Sequence, residues 1–181
     1  MKQRKGSSSE RSEILDDKEQ EELVSLLRRD VDRQIKNART YMHWVLLLLC
    51  VMMMTCLVYS SVHPLEMEHQ AHFEDKIPHW AFQLYYVLSA ACFFFAALTT
   101  KRGHENTPTQ IKVAATVIAV ATSAFWFFVF ALHGITIPQL YWLPLANPGA
   151  VLLALYIDRD AEYLKKDLER LETLKYNHKS I

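Results

Sequence analysis

The chain has 181 residues, enough for one domain, and its 20 Lys and Arg balance its 20 Asp and Glu, which excludes a general electrostatic attraction to nucleic acid. The charges are segregated: residues 1–42 and 158–181 are rich in them, and most of the middle is apolar. A polytopic membrane protein needs that segregation, because ionised side chains are costly in hydrocarbon.

Residues 1–13 are Ser-rich and charged, with no apolar period, and are expected to form a disordered cytosolic tail. Residues 1–23 lack the apolar core of a cleaved signal peptide and are too acidic for a transit peptide. The first apolar run therefore reads as a retained anchor. Residues 14–42 read as a cytosolic amphipathic helix. Val24, Leu27, Val31 and Ile35 recur at spacings of three and four. Acid gathers near the start of this helix and base near its end, which matches the helix dipole.

A membrane-embedded domain is expected over 43–157. A hydrocarbon core takes about 20 apolar residues in helix, and the segments 43–62, 80–100, 113–134 and 138–157 supply four such runs, none holding Asp, Glu, Lys or Arg. The fourth run is the weakest, because it contains Pro144, Asn147 and Pro148. Pro148 cannot donate the helical hydrogen bond to the carbonyl of residue 144. A kinked span is expected, with Asn147 satisfying the kink locally; a re-entrant hairpin is the rival reading.

Basic residues set the orientation. Arg28, Arg29, Arg33, Lys36 and Arg39 precede the first run, Lys101, Arg102 and Lys112 separate the second from the third, and Arg159, Lys165, Lys166 and Arg170 follow the fourth. The connection between the first two runs has only Lys76. Both termini are thus expected in the cytosol, and residues 63–79 in the lumen or outside.

That connection reads HPLEMEHQAHFEDKIPH, with four histidines and four carboxylates. If it holds a short helix, Glu68, His69 and His72 share a face, with Asp75 three residues on. Two histidines and a carboxylate suit zinc or copper, but the spacing is no established ligand motif. A solvated connection is the plainer expectation.

In the third run, Ala115, Ala119 and Ser123 form a stripe of small residues suited to close helix packing. The bulky AFWFFVF that follows is expected to splay the lumenal half of this helix, leaving room for a lipid or a partner helix. Cys50, Cys56 and Cys92 all fall inside apolar runs and show no metal spacing. Residues 158–181 read as a charged cytosolic helix, along which Ala161, Leu164, Leu168 and Leu171 mark a short apolar seam.

The expected fold is all-α: four transmembrane helices flanked by amphipathic cytosolic helices. The apolar runs show no nucleophile–base order, intramembrane carboxylate pair or phosphate-binding glycine loop. The expectation is a non-enzymatic assembly, trafficking or scaffolding factor, or an accessory subunit of a larger complex, in the endoplasmic reticulum or a related endomembrane. No cofactor is expected. The expected partners are membrane lipid and a membrane or cytosolic protein, gripped through the amphipathic helices. The alternative is a lumenal metal- or lipid-binding protein built on residues 63–79 and the splayed half of the third run.

Overall fold

The structure is a computed structural model that describes residues 17–63, 67–71, 73, 76–102, 107–134 and 140–177. The described residues form four long helices and one short one, with no strand: α1 (Asp17–Val62), α2 (Glu68–Ala71), α3 (His79–Arg102), α4 (Thr109–His133) and α5 (Trp142–Asn177). Three of them, α1, α3 and α4, are long and apolar enough to cross a membrane.

The expected cytosolic helix and first span are one unbroken helix. At 46 residues, α1 runs ~69 Å at ~1.5 Å per residue. A hydrocarbon core is only ~30 Å thick, so more than half of α1 lies beyond it. The fourth apolar run likewise continues into the charged C-terminal segment as α5, 36 residues long. Its apolar stretch, 142–157, covers only ~24 Å, and α5 is not among the three helices that meet the length and hydropathy of a span.

α3 is the centre of the bundle and packs against α1, α4 and α5. It buries Ala81, Ala90, Ala96 and Ala97 at its contacts, which lets neighbouring backbones approach. Between these lie Phe82, Tyr86 and Phe93, each buried. Lys101 and Arg102 close α3 with positive charge where the dipole is negative. α4 stops at Gly134, which takes the left-handed conformation (φ 61°) and donates its N–H to the Phe130 carbonyl.

Hydroxyl groups within the helices are hidden in a consistent way. Thr55, Ser61, Thr99, Thr100 and Thr116 each donate to the carbonyl four residues earlier. In hydrocarbon this spares the hydroxyl an unmade bond without breaking the helix.

The bundle therefore has two unlike ends. At one, the chain connects α1 to α3 and α4 to α5; this is the loop end. At the other, α1 and α5 run on past α3 and α4; this is the projecting end.

Candidate functional site

The loop end is closed by residues expected to be solvated. Gln70, Phe73 and Ile77 are all buried. Phe73 inserts between the helices, with ring centroids 5.7 Å from Phe82, 5.5 Å from Trp126 and 6.2 Å from Phe130. The driving force is burial of an aromatic ring that would otherwise sit in a polar connection. Gln70 Nε2 donates to Ser60 Oγ on α1 (2.9 Å) and to Tyr86 Oη on α3 (3.0 Å). His69 Nε2 is hydrogen-bonded to the same tyrosine hydroxyl, and its ring packs edge-on against Trp142 at 5.4 Å.

These contacts correct two expectations. The connection is a plug, so far as it is described, and not a solvated loop. The bulky half of α4 is not splayed open on its inner side either, because Phe73 fills the space beside Trp126 and Phe130. On the lipid-facing side a shallow groove of about 240 Å³ remains, lined by Trp80, Leu84, Leu88, Ala121 and Phe125 among others. Of the four candidate metal ligands, His69 is engaged with Tyr86, and α2 carries Glu68. His72, Asp75 and the Glu68 side chain lie outside the described residues. Among the described residues no three His, Cys, Asp or Glu gather as a metal site.

Mid-bundle, α5 is held by polar contacts centred on its prolines. The chain is helical throughout Trp142–Asn177, so it does not reverse at Pro148 as a re-entrant hairpin would. Pro144 sits in the first turn, where a backbone N–H has no helical partner to lose. Pro148 is the costly one, since its missing N–H leaves the Pro144 carbonyl unbonded within the helix. Ser123 Oγ on α4 donates to that carbonyl at 2.6 Å. Asn147, expected to satisfy the kink locally, instead directs its amide N–H groups to the neighbouring helices. It is fully buried, and its Nδ2 donates to Ser89 Oγ on α3 (3.0 Å) and Thr122 Oγ1 on α4 (2.8 Å). One side chain thereby ties three helices together. The other two stripe residues, Ala115 and Ala119, are both buried. Cys92 Sγ lies 3.7 Å from the Ala115 carbonyl and 3.9 Å from that of Asn147, so it turns toward α4 and α5 and away from α1.

At the projecting end, Arg39 Nη2 of α1 meets Asp158 Oδ1 of α5 at 2.9 Å. The two side chains are 26% and 5% exposed, so this pair is largely withdrawn from water. Ile35 and Ala161 are buried beside it in sequence. Further out, Arg28 and Asp32 of α1 share a cleft with Lys165, Leu168 and Glu169 of α5. Of the eight stripe residues, Val24, Val31, Leu164 and Leu168 are half-buried, whereas Leu27 and Leu171 are exposed. α1 adds two more exposed leucines, Leu23 and Leu26. Beyond the apolar stretch, the Tyr163 hydroxyl accepts from Arg159 Nε and Nη2 (3.3 and 3.1 Å), which raises that guanidinium further above its ordinary pKa.

The side chains that close the loop end and pair at the projecting end are signalled only faintly in the sequence. Phe73 is the one aromatic residue in the polar connection. Arg39 is the last charge before the first apolar run, and Asp158 is the first after the fourth. Two opposite charges that mark the same boundary on neighbouring helices are candidates for a pair. No protein-family model, curated protein or solved structure matches this chain.

Proposed function

We propose that this protein is a non-enzymatic four-span protein of the endoplasmic reticulum or a related endomembrane, with both termini in the cytosol. It works as an assembly, trafficking or scaffolding component, or as an accessory subunit of a larger membrane complex. In this reading α5 is the fourth span. Its contacts support that assignment, since it reaches from Tyr85, whose hydroxyl donates to the Leu143 carbonyl (3.0 Å), to Arg39 at the opposite end. The shortfall of its apolar stretch is small enough for local thinning of the bilayer to absorb.

The observation that carries the proposal is the projecting helix pair. α1 extends far past what a membrane crossing needs, is clamped to α5 by Arg39–Asp158, and displays Leu23, Leu26 and Leu27 on its outer turns. The charges around these leucines are of both signs, which suits a protein partner better than a lipid surface, where a cationic face is favoured. The basic residues at this end support its cytosolic placement.

The test is Leu23→Asp with Leu27→Asp. Leu164 and Leu168 are poorer choices, because they are half-buried beside α1 and their loss would loosen the helix pair itself. Extracted in mild detergent, the wild-type chain should run as a stoichiometric complex with a different protein, and the double variant should lose that partner while inserting normally. A solitary wild-type monomer or homo-oligomer would refute the proposal.

A further inference from the structure

At the projecting end, α1, α3 and α5 converge around an open cavity of about 540 Å³. Three lysines reach it from three different helices: Lys36 from α1, Lys101 from α3 and Lys165 from α5. Arg39 lines it too, with its charge met by Asp158. Asp32 is the one carboxylate of the lining. Four cations against these two carboxylates leave an excess of two positive charges.

The position of the cavity matters as much as its charge. Trp44 and His43 form part of the wall. Trp44 is 64% exposed and lies just past Arg39, the last charge before the apolar run, where an amphipathic ring belongs at headgroup depth. His43 is fixed by its Nδ1, which sits 3.0 Å from the Ala97 carbonyl. A carbonyl only accepts, so Nδ1 carries the proton. The lysines thus sit in water-accessible cationic positions above a wall that continues into the lipid-facing flank of α1.

We propose that this cavity binds the headgroup of an anionic phospholipid that carries a phosphomonoester. A phosphomonoester holds about −1.5 to −2 charge at neutral pH, enough by itself to answer the excess of two, and the phosphodiester of a phosphoinositide adds about one more. A single phosphodiester would answer only half of it. Lysines on separate helices act as mobile point charges that close around such a group from several sides. Basic pockets between membrane helices at the cytosolic boundary are known to take lipid headgroups of this kind. A lipid source is favoured over a soluble anion because the cavity opens at the boundary itself, beside Trp44, where acyl chains can lie along α1.

The experiment uses the full chain in a neutral maltoside detergent, titrated with dioctanoyl phosphatidylinositol 4-phosphate and read by native mass spectrometry. The control ligands are dioctanoyl phosphatidylcholine and inositol 1,4-bisphosphate. The phosphomonoester lipid should give a saturable single adduct that phosphatidylcholine does not. The triple variant Lys36→Gln, Lys101→Gln, Lys165→Gln should weaken it at least about tenfold. All three side chains are exposed, so the fold should survive. A matched triple variant, Arg29→Gln, Arg102→Gln, Lys166→Gln, removes the same charge from exposed positions on the same helices outside the cavity lining. It should cost clearly less than the lining variant, about threefold or less at ~0.15 M salt, because these charges reach the headgroup only through screening solvent. Equal losses in the two triple variants would overturn the proposal in favour of diffuse charge. So would an adduct no stronger than that of phosphatidylcholine. Inositol bisphosphate binding as tightly as the lipid would overturn the lipid source and leave a soluble anion.

Discussion

Ser123→Ala should destabilise this protein only while Pro148 is present. Pro148 removes the N–H that would bond the Pro144 carbonyl, and Ser123 Oγ donates to that carbonyl at 2.6 Å. Ser123 also lies 2.8 Å from the Ala119 carbonyl, but that acceptor already has its helical N–H, so its loss costs little. Interhelical hydrogen bonds in membranes are worth ~0.6 kcal/mol on average and up to ~1.7 kcal/mol. A short bond to an otherwise unsatisfied carbonyl belongs in the upper half, so Ser123→Ala should cost about 1–1.5 kcal/mol. In a Pro148→Ala background the new N–H can make the helical bond, and the same substitution should cost about 0.3 kcal/mol or less. The coupling expected from the double-mutant cycle is therefore ~1 kcal/mol. Reversible unfolding in mixed dodecyl maltoside and dodecyl sulfate micelles, followed by tryptophan fluorescence, measures it. The fully buried Trp126 reports loss of the bundle. A serine deletion that costs the same with and without Pro148 would refute the reasoning, because the bond would then owe nothing to the proline.

The same assay checks two further expectations. Arg39→Ala should cost about 3 kcal/mol, since it leaves Asp158, 5% exposed, without its guanidinium, whereas Arg39→Met combined with Asp158→Leu should recover most of the loss. If the double replacement is as unstable as the single one, the pair is not the origin of the cost. Phe73→Ala should cost about 3 kcal/mol through the cavity it leaves beside Trp126, and it should speed proteolysis within 63–79. Unchanged proteolysis would show that the ring does not hold the connection down.

The all-helical character and the positions of α3 and α4 were legible in the sequence because hydrocarbon demands long uncharged runs, and such runs cannot be mistaken for loops. The continuity of α1 and α5 was not. A change from charged to apolar composition looks like a boundary, yet the helix needs only that no residue interrupt its hydrogen bonds, and none does between Asp17 and Val62. The plug was missed because polarity averaged over 63–79 hides one phenylalanine, and the site that receives it exists only after α3 and α4 have met. Asn147 was read as serving its own kink for a similar reason. Its partners, Ser89 and Thr122, lie 58 and 25 residues away, beyond any local rule.

The placement of polar groups also argues where the function lies. At the loop end, Gln70, His69 and Tyr86 bond one another. Mid-bundle, Ser89, Thr122, Ser123 and Asn147 bond across helices, leaving Asn147 Oδ1 and Trp126 Nε1 as the buried polar atoms there without a partner among the described residues. Groups bonded in this way tie the helices to one another. At the projecting end the balance reverses. The Arg39–Asp158 ion pair clamps α1 to α5; around it Lys36, Lys101 and Lys165 line the open cavity, and Leu23, Leu26 and Leu27 of α1 are exposed. On the proposed reading, the bundle presents two long helices to partners at the membrane surface, with basic groups near headgroup depth and leucines further out. The lysine and leucine variants separate those two layers, since each removes one while leaving the clamp intact.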